Sequence, residues 1–152
     1  MELNKDTLTE YLRTSKVVRD INTKIATDLK THYLEDTYMN FFAGALIPVL
    51  LFMKIKTVKE LDLLLTSKKE LIQDEKLTNM VYEFSHAQGR ADDRGLAVGV
   101  CIVRLVIIMA LETKNQSKIN KSFKLYNWSK ERENGVKRIF TKWAEEKLWN
   151  DG

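Results

Sequence analysis

Proline occurs once in this chain, at Pro48, and glycine six times in 152 residues. So few breakers exclude a turn-rich β architecture and favour helices. There is one cysteine, Cys101, so no internal disulfide can form. Cys101 lies inside an apolar run and reads as a small buried hydrophobe, because a reactive thiol needs an electropositive, exposed setting. No hydrophobic run reaches the about 20 residues that a membrane-spanning helix requires. The opening Met1–Asp6 is charged and has no apolar h-region, so no signal peptide is expected and a cytoplasmic, intracellular location follows. No Walker loop, GxGxxG, HExxH, CxxC or G-x-S-x-G is present. Neither a cofactor nor a metal is expected, because no second His/Asp/Glu cluster at helical spacing completes a ligand set.

What is present is organised around Leu96–Leu111, sixteen residues whose single charge is Arg104. As a helix this run would be about 24 Å long. Apolar on every side, it belongs at the centre of a bundle. Its many β-branched residues raise a strand as the competitor, but strands usually run only about four to eight residues. The fold expected is all-α, a single helical domain over 1–152 with five to seven helices around a central apolar helix at about 95–112.

The other segments read as its cover. Leu8, Leu12, Val18, Ile21, Ile25 and Leu29 recur at helical intervals behind a cap at Asn4 or Asp6. The uncharged block Phe41–Met53 is a buried helix or helix pair, with Pro48 either kinking it or starting a new helix. A membrane-surface hairpin of this block and the 96–111 run is disfavoured, because Arg104 would face lipid at about 2.5 kcal/mol or more. Thr57-Val-Lys-Glu60 and Ser67-Lys-Lys-Glu70 are two capping boxes, the second opening a helix through Leu71, Ile72, Leu77, Met80, Val81 and Phe84. A polar connector spans 112–117. Ser129 caps a final helix with Val136, Ile139, Phe140 and Trp143 on one face, although Asn134-Gly135 is a turn-type pair at which that helix could instead begin.

Charge is unevenly placed. The chain carries +4 overall. Residues 114–152 hold ten Lys/Arg against five Asp/Glu, whereas residues 1–113 hold 15 against 16. An anionic partner would therefore meet the basic, aromatic-rich segment 114–152. Lys121, Lys124, Lys130, Arg132, Lys137, Arg138, Lys142 and Lys147 could neutralise phosphates, and Trp128 could stack on a base. No zinc finger, RNP aromatics or GXXG loop accompanies them.

Two other constellations compete. The polar island His86, Arg90, Asp92, Asp93 and Arg94 could supply a general base and an anion grip, yet helix caps explain most of it. Arg104 needs a carboxylate or several carbonyls, with Glu83, Asp92 or Asp93 as candidate partners. The leading expectation is a non-catalytic helical binding protein, a regulator or accessory subunit. It would contact nucleic acid, or a protein with an acidic surface, through its C-terminal segment. A protein-binding inhibitor or scaffold using the amphipathic C-terminal helix comes second, and an enzyme using the 86–94 island and Arg104 third. A homo-oligomer is left open.

Overall fold

In a computed structural model of the chain, residues 1–29, 39–87, 93–124 and 129–150 are described, with side chains except at 29, 39–42, 45, 85–87 and 93–100. Among the described residues every regular element is helical. Helix α1 (Lys5–Thr14) opens on a capping box in which Asn4 Oδ1 accepts the Thr7 amide and Thr7 Oγ1 accepts the Asn4 amide, both at 2.9 Å. One extended residue, Ser15, separates it from α2 (Lys16–Leu29). The continuous amphipathic helix expected here is therefore two helices. The apolar rows survive the break, since Leu8, Leu12, Val18, Ile21 and Ile25 are all buried.

Helix α3 (Met39–Phe52) runs through Pro48 without a new start. Pro48 and Gly44, whose carbonyl the missing N–H would have reached, both lie on the exposed side, where solvent can reach the orphaned carbonyl. Helix α4 (Val58–Ser67) begins as expected, with Thr57 Oγ1 accepting the Glu60 amide at 3.1 Å. A short antiparallel bridge between Glu2 and Thr57 ties the N-terminal residues to that start.

The second capping box is not used. Ser67 ends α4, and its hydroxyl donates back to the Leu64 carbonyl at 3.0 Å. After the short turn α5 (Lys69–Ile72), α6 (Glu75–Ala87) is capped by Asp74, whose Oδ2 accepts the Leu77 amide at 3.0 Å. The chain then forms α7 (Asp93–Thr113), α8 (Gln116–Lys124) and α9 (Lys130–Lys147).

Helix α7 contains the expected core run and packs against α2, α3, α5, α8 and α9. Cys101, Ile102, Leu105, Val106, Ile107, Ile108 and Leu111 are buried, with side chains from every helix of the described residues in one cluster. Burial pushes the Cys101 thiol up to about 12, as a core position implies. Val103 is only partly buried. No helix among the described residues is long and apolar enough to cross a membrane.

Helix α9 begins at Ser129, whose Oγ accepts the Arg132 amide at 3.3 Å. It does not begin at Asn134-Gly135. Gly135 sits inside it because the ring of Phe84 fills the space beside it, and a Cβ there would stand 2.2 Å from two ring atoms. Val136, Phe140 and Trp143 are buried as the periodicity predicted.

Candidate nucleic-acid interface

The basic segment folds into two helices with different surroundings. The connector expected over 112–117 is short, and α8 was not anticipated as a separate helix. At its start Lys114 adopts φ 54°, and Asn115 Oδ1 accepts the Lys118 amide at 3.1 Å. Ile119, Ser122 and Phe123 turn inward, with Phe123 edge-on to Phe140 at 6.1 Å. That spacing leaves Ser117, Lys121 and Lys124 exposed and Lys118 on the flank. There is no carboxylate in α8. Glu112, just before it, is engaged by Lys68 at 2.7 Å. The outer surface of α8 therefore carries positive charge without compensation along its own length.

A second element joins it. At the end of α3, Lys54 takes φ 61° and is exposed. Phe52, Met53 and Lys54 form one wall, and Asn115, Ser117, Lys118 and Lys121 the other, of a cleft of about 360 Å³. Lys54 and Lys114 are the two non-glycine residues with positive φ among the described residues. Each follows a helix end, where glycine is the usual occupant because a Cβ is disfavoured in the left-handed region. Holding a lysine there costs about 1 kcal/mol or more. The positive end of the α8 dipole lies at the same cleft, whose lining includes Asn115 and Ser117.

Helix α9 is less uniform. Lys137 donates to Asn120 Oδ1, bracing α9 on α8. Lys147 pairs with Asp74 at 3.4 Å. By helical periodicity Arg138 and Lys142 share the outer face with Glu131 and Glu145, and all four are exposed. Lys130 is exposed and Arg132 partly buried. The predicted basic residues thus separate into Lys121 and Lys124 on a purely basic face, Arg138 and Lys142 on a mixed one, and Lys137 and Lys147 in contacts with α8 and Asp74. Trp128 lies outside the described residues. Lys54, Lys114 and Lys118 were missed; Lys118 could have been found from its three-residue spacing with Lys121 and Lys124, whereas Lys54 carries no local signal. The aromatic face of α9 is occupied by the protein's own core, which leaves its charged side exposed.

Arg104 is buried, with 1% of its surface exposed. Glu83, one of its expected partners, is exposed and makes no ion pair with it, while Asp92 and the Asp93 side chain lie outside the described residues. Its Nη1 donates to the Ile72 carbonyl at 2.8 Å and to Thr78 Oγ1 at 2.7 Å, tying α7 to the α5–α6 junction. Burial pulls its pKa down to about 10, opposed by the carboxylate charges of Asp74 and Asp28. It remains a cation whose Nη1 is held by neutral acceptors, and its buried Nε has no hydrogen-bond partner among the described residues. The backbone places His86 in the last turn of α6, and Asp93 and Arg94 in the first turn of α7. Arg90, Asp92 and the side chains of His86, Asp93 and Arg94 lie outside what the structure describes. Among the described residues no three His, Cys, Asp or Glu side chains gather as a metal site would need. Compared with known proteins, the chain matches no family model, no curated protein and no solved structure.

Proposed function

We propose that this chain is a non-catalytic binding protein, acting as a regulator or accessory subunit, whose α8 face grips the phosphate backbone of a nucleic acid. The observation that carries this reading is the carboxylate-free row Lys118, Lys121 and Lys124, extended by Lys54 across the cleft. Lysines that neutralise phosphates release condensed counterions, so affinity falls linearly with salt on logarithmic axes. The slope is about 0.9 per phosphate for duplex DNA and about 0.7 for single strands.

Fluorescence anisotropy across a salt series tests it. Exchanging Lys118, Lys121 and Lys124 together for Gln should flatten the slope by about two to three. Exchanging Arg138 and Lys142 should change it less, because Glu131 and Glu145 already offset them. These lysines lie on the exposed side or flank of α8, so thermal unfolding should be nearly unaltered. Absence of binding to DNA or RNA at low salt would refute the reading. An acidic protein surface would meet the same lysines by Coulomb attraction, and would then become the better assignment.

A further inference from the structure

The cleft between the end of α3 and the start of α8 combines two chemistries that a duplex backbone cannot use together. Its lining combines the charged residues Lys54, Lys118 and Lys121 with the apolar residues Phe52 and Met53. Phe52 is partly buried, anchored on the core yet lining the cleft. A double helix offers phosphates on a convex surface and keeps its bases stacked inside, so it would touch the lysines and leave the apolar residues bare. Turning a base out of a duplex requires breaking its stacking and pairing. An unpaired strand requires neither, and every base presents a face that an aromatic ring can stack on. The volume of about 360 Å³ falls within the range of pockets that enclose a small organic group.

Resting on the nucleic-acid reading above, we infer that the cleft takes one unpaired nucleotide, its base against Phe52 and its phosphate between Lys54 and the α8 lysines, so that the protein prefers single-stranded nucleic acid. Lys54 supplies an independent handle. It occupies a left-handed position that glycine would fill at lower conformational cost. A lysine kept there for structure alone would be lost with harm to the fold. A lysine kept for the strand would be lost with harm to binding only.

The test uses the full chain and two probes of equal length, a labelled oligo(dT) 12-mer and a 12-base-pair duplex, at one low salt concentration. The wild type should bind oligo(dT) at least about tenfold more tightly than duplex. Phe52→Leu keeps apolar bulk but removes the ring. It should weaken oligo(dT) binding by about 5- to 100-fold and leave duplex binding nearly unchanged. Lys54→Gly should weaken oligo(dT) binding by about three- to tenfold, with an unfolding temperature equal to or above that of the wild type. Equal or tighter binding to duplex would overturn the inference. So would Lys54→Gly and Phe52→Leu proteins that bind oligo(dT) like the wild type. In both cases salt-dependent binding through α8 would still stand. Failure to bind either probe would overturn both readings at once.

Discussion

Trp143, fully buried on α9, donates its indole N–H to Oδ2 of Asp74 at 3.0 Å. The same oxygen accepts the Leu77 amide at 3.0 Å, and Lys147 lies 3.4 Å from the other oxygen. One carboxylate thus starts α6 and docks the end of α9. Burial by itself would raise the Asp74 pKa, but the two hydrogen bonds and the Lys147 charge hold it below the ordinary value of 3.8.

Asp74→Ala should therefore cost about 2–4 kcal/mol, combining a lost cap with an indole left without an acceptor. Asp74→Asn keeps an acceptor and removes only the charge. Because the folded pKa is depressed, the charge stabilises the fold above pH 3.8 and ceases to do so as pH falls through the lower folded value. Urea unfolding from pH 7 to pH 3 should show the wild type more stable than Asp74→Asn at neutrality, with the gap closing at the acid end. A gap that widens below pH 4 would contradict this linkage.

Arg104→Met should destabilise by about 1–3 kcal/mol, because the Ile72 carbonyl and the Thr78 hydroxyl lose their donor. Thr78 has no exposed surface, so water cannot replace it without rearrangement. Adding Thr78→Val removes one stranded acceptor and should recover part of the loss. Full additivity of the two changes in denaturant unfolding would show that the hydrogen bond between them contributes nothing.

Gly135→Ala should lower stability by about 1–3 kcal/mol, although alanine is the better helix former by about 1 kcal/mol. The new methyl would press on the Phe84 ring. Combining it with Phe84→Leu should restore part of the stability. Calorimetry of the four proteins would read the coupling, and a stabilised Gly135→Ala would mean that the ring moves aside freely.

Ile107→Asp should prevent folding, since a carboxylate would be buried at a position with 1% exposure. Val103→Asp, one turn earlier but only partly buried, should leave a folded though weakened protein. Circular dichroism and gel filtration would separate the two outcomes. The sequence alone treats these neighbours as equivalent, because both stand in an unbroken apolar run. Only the packing of α2, α3, α5, α8 and α9 around α7 shows which side is open.

The proposed interface was legible in part for the same reason. Lys121 and Lys124 follow from the charge bias and from the spacing of Ile119 and Phe123, which assigns the inward side of α8. Lys54 is separated from them by more than sixty positions, and nothing near it in the chain marks it as basic surface shared with α8. The mixed sign of the outer α9 face could have been read from Glu131, seven residues before Arg138, and Glu145, three residues after Lys142.

Local signals sufficed where the stabilising partner is a few residues away. Helical class, the apolar run carried by α7, the cap at Thr57, and the buried row Val136, Phe140 and Trp143 all arise from periodicity or from bonds reaching three or four residues. Tertiary contacts decided where two local readings were equally good. Ser67 and Asp74 can both begin a helix, and Asp74 does so with its carboxylate also taken by Trp143 and Lys147 from α9. Asn134-Gly135 reads as a turn, yet it continues a helix because the Phe84 ring requires a residue without a side chain. Arg104 required acceptors, and Ile72 and Thr78 serve because folding brings the α5–α6 junction over α7. Each of these choices depends on a group 26 or more residues away, beyond the range of any pattern along the chain.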